Sequence, residues 1–179
     1  MKRMALLLAL CLGLGACGIT APHRDAGFAD VDSFDWWEVD HNFSLSLGPT
    51  LLSLAASVIE DDPQTQALLR SLEGVRIKVY DVEPGKAEAV NLDLGNMSQR
   101  LVSQSWEPII LVREEGESTH MLVKMDGEQI RGLTVMTTDG QEAVFVNVMG
   151  DLQPQMFNQT VAALNVPAPE VHIAQQDTD

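Results

Sequence analysis

Cysteine is almost absent from this chain. Cys11 and Cys17 are the only two, and both lie within the first seventeen residues. The body of the protein therefore has no disulfide, no thiolate metal site and no cysteine nucleophile. An exported domain built this way is indifferent to the redox state of its compartment. Positive charge is also thin: Lys and Arg number 11 against 26 Asp and Glu, for a formal net charge of −15. Such a surface repels phosphate backbones and anionic headgroups, which argues against nucleic acid as a partner. Long apolar runs are missing too. The one uninterrupted stretch, Met4–Leu14, is too short to cross roughly 30 Å of hydrocarbon as a helix rising about 1.5 Å per residue.

What is present points to a globular domain with accessory ends. Of the 179 residues 45% are hydrophobic and 21% charged, which is too apolar for general disorder and long enough to bury a core without staples. The first residues form a pattern of their own. Met1-Lys2-Arg3 is a basic start, Met4–Leu14 an apolar core, and small residues precede Cys17. This is the layout of a cleavable secretory signal.

Leu14-Gly15-Ala16-Cys17 resembles the bacterial lipobox. That resemblance implies a signal peptide over 1–16, a diacylglyceryl group on the Cys17 thiol and acylation of the new terminal amine, hence palmitate-type chains. At about 0.8 kcal/mol per buried CH₂, several chains hold a protein at a membrane essentially permanently. Cleavage would remove Lys2 and Arg3 and take the formal charge from −15 to −17. Gly18, rather than Asp, follows the cysteine, and by analogy with lipoprotein sorting this favours the outer membrane, facing the periplasm, over inner-membrane retention.

Residues 17–38 show neither helical nor strand period and carry Pro22, Gly27 and several aspartates, so they read as a flexible tether. Trp36 and Trp37 stand at its end beside carboxylates. They are the candidate interaction surface of this region, by contact with a partner or with a membrane interface, or else one of them caps the domain core.

From 39 to 166 the pattern is that of a single α+β domain. Phe43, Leu45 and Leu47 alternate as a strand, and Gly48-Pro49 opens a helix with Leu51, Leu54, Ala55, Val58 and Ile59 as its apolar positions. Asp61-Asp62-Pro63 ends it and caps a second helix that runs to Gly74. Val75–Val82 alternates as a strand. Ala87, Val90, Leu94, Met97 and Leu101 form one seam of a third helix, whose start Gly95 shifts toward Asn91. Four strands follow, Ile109–Arg113, His120–Met125, Ile130–Thr137 and Ala143–Met149. Asp126-Gly127 and Asp139-Gly140 signal hairpins, and short turns make the four an antiparallel meander. Gly150-Asp151 is expected to end the sheet, Leu152, Met156, Val161 and Leu164 to form a terminal helix, and 167–179 to be a disordered acidic tail. The expected order is β-α-α-β-α-β-β-β-β-α, a mainly antiparallel sheet with helices packed on one face.

No chemistry-bearing motif emerges. His23, His41, His120 and His172 are scattered, without the HExxH spacing of a zinc site, and no GxSxG, GxGxxG or GxxxxGK[ST] segment occurs. Asp61-Asp62 is explained by helix capping, Glu114-Glu115-Gly116-Glu117 by a solvated turn, and the strand methionines by core packing. The expectation is therefore no catalytic residue, no metal and no cofactor.

The segments Gly74–Tyr80 (GVRIKVY), Trp106-Glu107-Pro108, Gly132–Met136 (GLTVM) and Glu142–Leu152 (EAVFVNVMGDL) resemble the DUF4252 family, small envelope proteins of Gram-negative bacteria that are often lipoproteins. The likeness covers roughly Asp40 to Leu164. It implies a shared fold and carries over no site residue. Genes of that family sometimes lie beside sigma and anti-sigma factors, which implies a regulatory or stress setting. The expected role is a non-enzymatic lipoprotein that binds another envelope protein. The alternative is a carrier for a lipid or small apolar ligand held between sheet and helices.

Overall fold

The computed structural model describes residues 18–31, 39–59, 61–114 and 116–152. Its elements are β1 (Val39–Leu47), α1 (Pro49–Val58), α2 (Pro63–Ser71), β2 (Leu72–Val82), α3 (Ala87–Ser103), β3 (Trp106–Glu114), β4 (Glu117–Asp126), β5 (Gln129–Thr138) and β6 (Glu142–Leu152). The protein is α+β. The six described strands form one sheet in the order β1-β2-β6-β5-β4-β3, with every neighbouring pair antiparallel.

The topology follows from one long crossover. β1 and β2 pair through the α1–α2 connection. α3 then carries the chain across the sheet to its far edge, and β3 to β6 fold back as the expected meander until β6 closes beside β2. The β4–β5 hairpin has Asp126 opposite Gln129, leaving Gly127 and Glu128 as the turn. Gly127 has φ +62° and Glu128 does not have positive φ, the sign pattern of a type II′ turn, which suits the right-handed twist of the flanking strands.

Strand alternation sorts the core into two faces. The front face presents Met121 and Val123 of β4, Leu133 and Val135 of β5, and Val146 and Val148 of β6, packed with Leu52 of α1 and with Leu68 and Leu69 of α2. The back face presents Leu122, Met136 and Phe145, packed with Trp106, with Leu94, Met97 and Leu101 of α3, and with Ala29 and Val31 upstream of β1. Tyr80, Val82 and Ala143 extend it toward Val90 at the start of α3. The helices thus cover both faces of the sheet, not one. Residues 121, 123, 133 and 135 and their neighbours 122 and 136 are buried alike, so a single helical layer would leave half of these apolar side chains in water.

Other boundaries also differ from expectation. α3 begins at Ala87 rather than Asn91; Gly95 is tolerated within it, with open space where a Cβ would stand. In α1 the buried residues are Leu52 and Ala56, while Leu54 and Val58 of the expected seam face outward. β6 continues past Gly150 to Leu152. There Gly150 takes φ +145°, and the register slips between Ile130–Leu152 and Gly132–Met149. Across this irregularity Leu152 still packs on the front face with Val146 and Val148. The rest of the expected terminal helix and the tail lie outside the described residues.

Candidate functional site

Leu14, Gly15, Ala16 and Cys17, the residues of the expected lipobox, lie outside the described residues, as do Trp36 and Trp37. The structure does, however, place the chain that begins at Gly18. Residues 18–31 are not a free tether; they form a strap bound across the back face. At its start the Gly48 N–H donates to the Ile19 carbonyl at 2.7 Å, and a Cβ on Gly18 would strike the Thr50 hydroxyl. Next the Ala21 N–H donates to Ser46 Oγ at 3.1 Å. Asp25 Oδ1 then accepts the Gly27 N–H at 2.8 Å and tightens the bend before the crossing.

Asn147 and Arg76 hold the strap at its centre. Asn147 Oδ1 accepts the Ala29 N–H at 3.0 Å, and its Nδ2 donates to Gly27 O at 2.9 Å and to Leu133 O at 3.2 Å. Arg76 Nη1 donates to Ala29 O at 3.2 Å, with its guanidinium carbon 4.5 Å from the centre of the Phe28 ring. Both side chains are buried. Polar groups at such positions are stable only when partnered, and the strap backbone supplies the partners. The approach is close: a Cβ on Gly132 would lie 2.6 Å from Gly27 Cα and 2.8 Å from Trp106 Cη2. Ala29 and Val31 are fully buried as a result.

Three buried polar atoms have no hydrogen-bond partner among the described residues: Asn91 Oδ1 on α3, and Ser118 Oγ and His120 Nδ1 on β4. Ser118 and His120 point to the same side of β4. Burial, and then the nearby positive charge of Arg113, hold the His120 imidazole below its ordinary pKa and favour its neutral form. Arg113 is itself paired with Glu88 of α3 at 2.9 Å.

Two surfaces expose apolar side chains. Among the described residues β3 is an edge strand, with a strand neighbour on one side of its backbone only; Ile109, Leu111 and Val112 on it are exposed, Leu111 to 65%. α1 exposes Leu54 and Val58 on the side away from the sheet.

Features considered for catalysis have structural roles. Asp62 caps α2, accepting from the N–H groups of Gln64 and Thr65 at 3.1 and 3.0 Å; the Thr65 hydroxyl and these amides hold its carboxyl below the usual range. Met121, Met136 and Met149 are fully buried packing residues. Among the described residues no group of His, Cys, Asp and Glu could hold a metal ion, and no described helix is long and apolar enough to cross a membrane. Sequence reasoning missed the clasp. Its only local trace is a polar residue, Asn147, between inward-facing Phe145 and Met149.

The profile of a family described as a domain of unknown function, DUF4252, matches residues 37–160. No curated protein matches the chain.

Proposed function

The chain belongs to the DUF4252 family, and from that footing we propose that it is a non-enzymatic envelope lipoprotein, acylated at Cys17, that binds another envelope protein through the β3 edge. The observation that carries the binding role is the edge itself. Ile109, Leu111 and Val112 stand exposed on a strand that, among the described residues, is paired on one side only. Such a strand takes an additional strand from a partner readily, by backbone hydrogen bonds and apolar side-chain pockets. The Leu14–Cys17 lipobox behind a basic and apolar leader supports the anchor. The absence of a recognisable catalytic motif in the sequence supports a binding role over an enzymatic one.

The test has two parts. Intact mass of the protein purified from its native membrane reports acylation, and Cys17→Ser should abolish it and release the chain from the membrane fraction. A photocrosslinking residue at position 111 should give one discrete adduct in cells. Ile109→Lys with Val112→Lys should remove that adduct while leaving stability within about 0.5 kcal/mol, as for other exposed sites. An unmodified thiol would defeat the anchor. An adduct unaffected by the lysines, or none, would defeat the edge as binding surface.

A further inference from the structure

We propose that the outward face of α1 rests on the lipid surface of the membrane that holds the anchor, so that the domain is fixed in one orientation by two points, the acylated Cys17 and this helix. The proposal depends on the acylation of Cys17 proposed above.

Three observations converge on the helix. The first is its place beside the anchor. Gly18 packs on Thr50 in the first turn of α1, and Ile19 O is bonded to the Gly48 amide just before that turn. Consecutive Cα atoms are about 3.8 Å apart, so the chain reaches Cys17 at the N-terminal end of α1. Acyl chains on that cysteine leave the protein there.

The second is composition. α1 reads PTLLSLAASV and has no charged residue. None occurs between Asp40 and Glu60 either, in a chain with 26 acidic residues. An ion pressed against lipid costs desolvation, so an acidic domain approaches a bilayer best by such an uncharged surface.

The third is geometry. Leu52 and Ala56 are buried. Leu51, Leu54, Ala55 and Val58 follow the spacing i, i+3, i+4 and i+7 and form a second apolar stripe on the opposite side. Leu54 is 61% exposed and Val58 72%, and Ile19, at the same corner as the first turn, is 47% exposed. A helix apolar on both sides is expected where both sides are removed from water. Ten residues span about 15 Å, so the whole stripe lies within reach of the surface to which Cys17 is fastened. Tethering raises the local concentration of the helix at that surface, and a contact too weak to hold alone then suffices.

The test uses the full-length acylated protein in zwitterionic phosphatidylcholine vesicles. In the processed chain Cys17 is the only cysteine and its sulfur is blocked by lipid, so a single introduced cysteine can be labelled. Leu54→Cys, Val58→Cys and, as a distant control, Leu111→Cys each receive an environment-sensitive fluorophore. Nitroxide-bearing phospholipid should quench the probes at 54 and 58 severalfold more than the probe at 111, since an adsorbed helical face sits about 5–10 Å into the headgroup–acyl boundary. Aqueous iodide should show the reverse order.

Acyl mass on Cys17 and flotation with the vesicles are read in the same samples. If both are absent, the anchor fails, and the α1 proposal with it. If both are present and the probes at 54 and 58 are open to iodide, α1 alone is refuted. Shielding from both quenchers that disappears when the chain is ended after Leu152 would mean that the protein's own C-terminal segment covers the stripe, and would also refute it.

Discussion

Asn147 of β6 accepts the backbone N–H of Ala29 at 3.0 Å, across 118 residues of sequence. With its amide nitrogen on Gly27 O and Leu133 O, one side chain ties together the strap, β5 and β6. Asn147→Ala leaves an N–H and two carbonyls to find other partners in a buried place. Unsatisfied buried groups cost about 1–3 kcal/mol each, and the groups relax together, so the expected loss is about 2–5 kcal/mol in urea unfolding. Amide hydrogen exchange at Ala29 should accelerate more than at Val135 in the sheet centre. Equal acceleration at both would show that Asn147 supports the whole domain rather than the strap.

Gly132→Ala should disturb the same region by a different cause. The new methyl carbon would meet Gly27 backbone and the Trp106 ring inside 3 Å. Overpacking of this kind costs about 1–3 kcal/mol. Tryptophan fluorescence should also shift as the Trp106 ring is displaced. A variant with wild-type stability and spectrum would mean that the strap yields without cost.

The two sides of α1 should respond in opposite ways. Leu52 is buried against the front face of the sheet, and Leu52→Ala should cost about 2–5 kcal/mol. Leu54 points away from the sheet, and Leu54→Ala should fall within about 0.5 kcal/mol of wild type in detergent-free solution of the unacylated protein. Equal losses would mean that the outward stripe is packed.

His120 makes stability depend on mild acid. Its folded pKa is depressed, first by burial and then by Arg113, while in the unfolded chain it is about 6.5. Between those two values the unfolded chain binds more proton than the folded one, so stability rises with pH there. The contribution is complete above about pH 6.5 and drains away as pH falls from there to the lower folded value. His120→Gln should therefore lose less stability than wild type between neutral and mildly acidic pH in urea melts. Parallel pH profiles would assign the acid sensitivity to other groups.

Much of the fold is written locally. The α3 residues Val90, Leu94, Met97 and Leu101 repeat every three or four positions and are all buried. The meander strands alternate, and Gly127 and Gly140 take positive φ where Asp-Gly pairs signal turns. Period fails at α1, where Leu51, Leu52, Leu54, Ala55, Ala56 and Val58 are apolar on two sides; the helical repeat is satisfied by either stripe, and only the sheet decides between them. The strap is illegible for another reason. It has no period, and its hold comes from Asn147 and Arg76, which are remote in sequence. A bonded loop and a free one share the same local composition. The face on which each helix packs is likewise set by the crossover of α3 and not by any short segment. Of the proposed sites, the lipobox-like segment Leu14–Cys17 stands out in the sequence because its residues are contiguous; the β3 edge does not, because being an edge is a property of the finished sheet.

The family profile begins at residue 37, whereas the strap residues packed with Phe145 and Met136, Ala29 and Val31, come before it. A gene fragment cut to the family limits would encode the six strands and three helices described above yet uncover a greasy patch on the sheet. Its tendency to clump would say nothing about the intact protein. The smallest piece worth expressing starts at Gly18, because in this protein the unit that folds is longer than the unit that homology marks.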